Sequence, residues 1–155
     1  MKLTEVVKQG KGYGSLQLKP TSATAIKKVL KDIGIEDVIN DLHITTIYDA
    51  SNPTSDIKLD SSKTYDANVV DIKKLGEPGT KWYAIALTLE APDIEKRHQD
   101  YIDAGFKHSY PEFLAHMSLK YKPSKEDINT IEDNLDMFKG LELVFSGERL
   151  AVIKE

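Results

Sequence analysis

The amino-acid sequence predicts an α+β fold in which two antiparallel sheets line a central groove and helices lie on the outside. Three observations point there. Each half of the chain reads as strand, helix, strand and a hairpin-like piece, an order that suits segregated layers better than a doubly wound parallel sheet. The turn at Gly76-Glu77-Pro78-Gly79 is short enough to join two antiparallel strands. Two similar polar tripeptides, His43-Ile44-Thr45 and His116-Met117-Ser118, fall at comparable places in the two halves.

The elements follow from local chemistry. Residues 13–18 read as the first strand, closed by Lys19-Pro20. Thr21 or Ser22 can cap a helix running to about Ile33, with Gly34 as its stop. Residues 42–48 form a buried strand carrying the first tripeptide. Asn52-Pro53-Thr54-Ser55 then breaks the chain, and the polar stretch to Lys63 is a surface loop long enough for a lid or rim. Residues 67–75 and 82–89 pair as a hairpin. Pro92 opens a charged amphipathic helix to about Ala104, ended by Gly105. After Tyr110-Pro111, residues 113–121 make the strand of the second tripeptide. Ser124 and Asp127 form a capping box for a helix to about Phe138, closed by Gly140. Residues 141–145 and 149–153 make a last strand pair around Ser146-Gly147.

Composition narrows the function. The 155 residues fit one domain, 1–155, and the 40% hydrophobic and 30% charged content is ordinary for a globular protein. No apolar run approaches a membrane span, and Met1-Lys2-Leu3-Thr4-Glu5 lacks the apolar core of a signal peptide. Cysteine is absent, which excludes disulfides, thiol nucleophiles and thiolate ligands and makes a cytoplasmic setting the expectation. A net charge of -4 and a pI near 5.6 argue against binding a long nucleic acid. A small anion needs only a local positive pocket, and Lys8, Lys11, Lys19, Lys120 and Lys122 flank the candidate strands.

Each tripeptide is a two-pronged polar claw. In a strand, residues two apart share a face, so His43 points with Thr45 and His116 with Ser118, while Ile44 and Met117 face the other layer. Converged on one spot, two imidazoles and two hydroxyls suit a phosphodiester that needs one proton removed and another supplied. An imidazole has useful amounts of both protonation states near neutrality. Thr45 and Ser118 would donate to the non-bridging oxygens. No Gly-x-Ser-x-Gly elbow supports a serine nucleophile, and no His-x-x-x-His or dense carboxylate cluster supports a metal. No cofactor is expected. His98 and His108 lack a partner hydroxyl and read as surface residues.

Binding residues are suggested more weakly. Tyr13, between Gly12 and Gly14, sits where a ligand could approach closely. Trp82 fits a core position as well as a stacking platform. Tyr48, Lys120 and Tyr121 fall close to the claws.

The spaced pair His43-Ile44-Thr45-Thr46-Ile47 and His116-Met117-Ser118-Leu119-Lys120 resembles the two-histidine (2H) phosphoesterases, whose motif is His-x-(Thr/Ser)-x-apolar; Lys120 departs from it. The opening Gly12-Tyr13-Gly14-Ser15-Leu16-Gln17-Leu18, the Trp82 strand and the closing Phe145-Ser146-Gly147-Glu148 look most like the phage anti-CBASS nucleases of that superfamily. The resemblance implies a bilobed fold and a metal-independent phosphodiesterase acting on cyclic di- and trinucleotides in the bacterial host cytoplasm. It also implies that Glu148, or else Glu142, reads a base edge. The rival enzymatic reading is a 2',3'-cyclic or 2',5' RNA phosphodiesterase or ligase, and the rival of another class is a non-catalytic cyclic-nucleotide sponge.

Overall fold

The computed structural model describes residues 10–154, so Lys8 lies outside the described residues. The elements are β1 (Tyr13–Leu18), α1 (Pro20–Asp32), β2 (His43–Tyr48), β3 (Tyr65–Leu75), β4 (Ala84–Glu90), α2 (Pro92–Asp103), β5 (His116–Tyr121), α3 (Lys125–Asp133), α4 (Leu135–Phe138) and β6 (Glu142–Ala151). The α+β class stands. The expected pair of sheets does not: six strands form one antiparallel sheet in the order β2-β1-β6-β3-β4-β5.

One strand accounts for the difference. The segment read as two strands around Ser146-Gly147 is the single strand β6. Its first part, Glu142–Phe145, pairs with β3, and its remainder, from Phe145 to Ala151, pairs with β1. The chain does not turn back at Gly147. That glycine has a φ of +66° and falls in a bulge where the register against β1 shifts between Ser15 and Gln17. β6 thereby joins the two halves. The sheet then curls until its edge strands, β2 and β5, lie against each other, and the N–H of Ile39, just before β2, donates to the Leu119 carbonyl at 2.8 Å.

Leu16, Ile44, Leu87, Met117, Leu143 and Phe145 from the strands pack with Ile26, Leu30, Ile128, Ile131 and Phe138 from the helices into the main core. A second cluster joins Ile47 to Tyr101 of α2 and Phe106. α1 begins two or three residues earlier than a Thr21 or Ser22 cap would place it, because Pro20 occupies the first turn and Lys19 stands at the cap without a side-chain bond. Ser22 instead accepts the Val144 N–H at 3.0 Å, fastening α1 to β6. The Ser124–Asp127 capping box forms as expected, although the helix breaks at Asn134 into α3 and α4. No helix among the described residues is long and apolar enough to cross a membrane.

Gly14 proves to be a packing residue. A Cβ there would lie 2.6 Å from Thr46 Oγ1 and 2.8 Å from Ile47 Cγ2, on the face away from Tyr13. Gly14→Ala is therefore expected to lower stability by about 1–3 kcal/mol through overpacking, measurable by urea unfolding.

Candidate active site

Both claws face the same way for the same local reason. Direct cross-strand partners share a face, which places Thr45 with Ser15 and His43 with Gln17 on one side of the sheet, while Leu16 and Ile44 go to the core. At the opposite edge, Ser118 stands with Ala86 and His116 with Thr88, while Met117 and Leu87 go to the core. The curl of the sheet then brings β2 and β5 together.

The imidazoles are held identically. His43 Nδ1 is 2.8 Å from the Asp41 carbonyl, and His116 Nδ1 is 2.7 Å from the Leu114 carbonyl, each two residues back in the chain. A carbonyl only accepts, so Nδ1 carries the proton in both rings. Nε2 is left as the working nitrogen: an acceptor in the neutral ring, a donor in the charged one. Burial above all, then the nearby His43 and Lys73, hold the His116 imidazole below its usual range, partly offset by the Leu114 bond. His43 Nε2 is 2.8 Å from the Tyr13 hydroxyl, and Thr45 Oγ1 approaches the same oxygen at 3.4 Å. Burial raises the Tyr13 phenol above its ordinary value, so it stays protonated and donates to His43.

A bulge repeats as well. In β2 the register slips at Thr46, and in β5 it slips at Leu119, each the third residue after the histidine. An inserted residue inverts the alternation beyond it. Tyr48 and Tyr121, each fifth after its histidine, are thereby turned to the claw side, opposite Tyr13 and Ala84 respectively. Ile47, which the motif makes apolar, turns to the core at 0% exposure. Its counterpart Lys120 instead pairs with Asp127 at 2.8 Å, so this lysine is tied to α3 rather than free for the groove.

A family model described as anti-CBASS protein Acb1 matches residues 11–151, a span that holds both claws and every strand. The chain belongs to the anti-CBASS protein Acb1 family. It is 28% identical over 123 residues to the anti-CBASS protein Acb1 of Escherichia phage RB16, covering 77% of this chain and 68% of that one. The protein of the same name from Vibrio phage KVP40 is 24% identical over 131 residues, covering 78% and 79%.

Other groups on the claw side of this Acb1-family chain were not legible as motifs. Lys73 of β3 stands opposite Ala86, whose other neighbour is Ser118, so only a methyl group separates the lysine from the hydroxyl row. Arg149 stands opposite Ser15. Gln17, beside His43, donates to Ser15 Oγ at 3.1 Å and leaves its own Oε1 buried without a partner. The signal for Gln17 was its even spacing from Tyr13 along β1.

Of the remaining residues singled out in the sequence, Trp82 lies beyond the end of the second claw strand, and Glu148 and Glu142 lie away from the claws. Trp82 is not core: it lies in the turn before β4, 63% exposed, with its ring 5.5 Å from that of Tyr121. Glu148 is buried on the opposite face and fully engaged. Arg97 Nε and one terminal nitrogen donate to its two oxygens at 2.6 and 2.9 Å, and the Tyr101 hydroxyl and Asp60 N–H add 2.8 and 3.1 Å bonds. A cavity of about 510 Å³ opens beside this pair, lined by Lys58, Leu59, Asp60, Lys63, Tyr65 and Arg97. Glu142 is exposed at the start of β6, opposite Asn68.

His98 and His108 are half-buried and tied to β2, not free on the surface. His98 Nδ1 donates to the Thr46 carbonyl at 2.7 Å and its ring stacks on Phe113. His108 Nδ1 accepts the Tyr48 N–H at 3.1 Å, and burial with the nearby His98 pushes its pKa down to about 4. Both rings therefore brace β2 from behind, at the bulge that aims Tyr48.

Proposed function

We propose that this chain is a metal-independent two-histidine phosphodiesterase that cleaves 3',5' linkages of cyclic di- and trinucleotide signals, and so blocks CBASS immunity in the bacterial host. The observation that carries this reading is the matched pair of Nδ1-tethered imidazoles, each followed by a hydroxyl. Family membership supports the anti-CBASS role.

His116, kept neutral by burial, takes the proton from the ribose 2'-hydroxyl. The 2'-oxygen attacks phosphorus in line, the bond to the 5'-oxygen breaks, and His43 delivers a proton to that leaving oxygen. The leaving oxygen takes the place the Tyr13 hydroxyl holds against His43 Nε2. Thr45 and Ser118 hydrogen-bond the non-bridging oxygens, and Lys73 offsets the charge that builds there. The product is a 2',3'-cyclic phosphate, which water opens to a 3'-phosphate with the two histidines exchanging roles.

Incubation with 3',5'-linked and 2',5'-linked cyclic dinucleotides, and separately with RNA ending in a 2',3'-cyclic phosphate, tests the substrate. Cleavage of the 3',5'-linked rings, unchanged by EDTA, is the expected result. Reaction of RNA ends alone overturns the substrate class, and unaltered cyclic nucleotide recovered after long incubation makes the protein a sponge.

A further inference from the structure

The two most exposed large hydrophobic residues among those described are Trp82 at 63% and Tyr110 at 59%. Neither is scattered at random. Trp82 lies edge-on to Tyr121, ring centroids 5.5 Å apart, and Tyr110 lies tilted against Tyr48 at 5.6 Å. Tyr121 and Tyr48 are the two residues that the matched bulges turn to the claw side. Each histidine strand thus ends in a tyrosine carrying one solvent-facing aromatic ring.

Tyr13 carries the pair of Tyr110 and Tyr48 to a catalytic histidine. Its ring is 6.0 Å from that of Tyr48 and 6.3 Å from the His43 imidazole. Tyr110, Tyr48 and Tyr13 are thus a run of neighbouring rings reaching His43, and Trp82 with Tyr121 is a second pair at the end of the other histidine strand. An exposed ring costs solvation and is held here against a second ring, at the edge of a site built for a phosphate.

We propose that Tyr110, seated on Tyr48, is a second nucleobase platform, the counterpart of Trp82 on Tyr121, so that the site grips a phosphodiester by the bases on both sides of it. This rests on the phosphodiesterase reading above and deepens it: the ligand class is a diester flanked by two nucleosides. A one-base ester fills one platform. A two-base ligand fills both, and stacking on the second ring adds about 5- to 150-fold in affinity.

Calorimetric titration of the intact chain with adenosine 3'-(methyl phosphate), with the dinucleotide ApA and with cyclic di-AMP, in its His43→Ala form to prevent turnover, separates the possibilities. Wild-type Tyr110 should favour the two-base probes. Tyr110→Ala should lose about 5- to 150-fold on ApA and cyclic di-AMP, and Tyr110→Phe should restore it. Thermal unfolding is expected to be unchanged, since the ring is mostly exposed. Equal binding of both two-base probes by Tyr110→Ala overturns the platform while leaving the phosphodiesterase reading intact. Binding of none of the three probes by the parent protein overturns both.

Discussion

His116→Ala and His43→Ala are each expected to keep the fold and bind cyclic dinucleotide while turnover falls by about two to four orders of magnitude. Both rings hang on their own strand's backbone through Nδ1, so removing His116 strands no other side chain, and removing His43 costs only the bond from the half-buried Tyr13 hydroxyl. The pH profile adds a sharper expectation for the unmodified protein. His116 acts as base only when neutral, and its pKa is lowered, so the rate should fall as pH drops through a value below 6.5. Above that value the base is fully available, and the decline at higher pH reports loss of the proton from the acid. The profile of kcat/KM against pH measures both limbs. A His116→Ala protein retaining a tenth or more of the rate would end the two-histidine mechanism. A low-pH limb lying well above 6.5 would reverse the assignment of base and acid.

Much of the site was legible because a strand's alternation is a local property. His43 with Thr45, and His116 with Ser118, could be placed on common faces from spacing alone. What spacing could not supply was strand pairing. Splitting residues 142–151 at Gly147 and expecting two sheets were one error, since a continuous β6 is what binds the halves into one sheet. A Gly after Ser reads locally as a turn, and only the neighbouring strand reveals it as a bulge. The bulges at Thr46 and Leu119 were invisible for the same reason, and with them the orientation of Tyr48 and Tyr121.

α2 held a signal that charge obscured. Ile94, Arg97, His98 and Tyr101 recur at three- and four-residue intervals, the inward stripe of a helix, although two of the four are polar. Reading that stripe would have placed His98 against β2. It would not have found the partner of Arg97, which lies 51 residues away on β6.

That partner decides the last prediction. Glu148→Ala is expected to cost about 3–5 kcal/mol, because it leaves the Arg97 guanidinium, whose side chain is 14% exposed, without its counter-charge. It also strips the buried Tyr101 hydroxyl and the Asp60 N–H of their acceptor. At this chain length that loss lowers Tm by about 6–20 °C. A carboxylate that reads a base edge behaves differently: its removal changes which nucleotide is cleaved and leaves Tm in place. Glu148→Gln separates the two roles most cleanly. The amide keeps the size and one accepting oxygen but loses the charge that faces Arg97, so an anchoring role predicts a lowered Tm with nucleotide preference unchanged. An unchanged Tm with altered preference would place Glu148 in contact with the ligand, and the Arg97 pair would then have to open on binding. The anchor has a purpose in the fold. Arg97 also donates to the Lys58 carbonyl at 2.7 Å, so the same ion pair fixes the 52–63 loop against α2 and β6. Loss of Glu148 should therefore free that loop to proteolysis before the sheet itself unfolds, with cleavage confined to residues 52–63 under limiting protease.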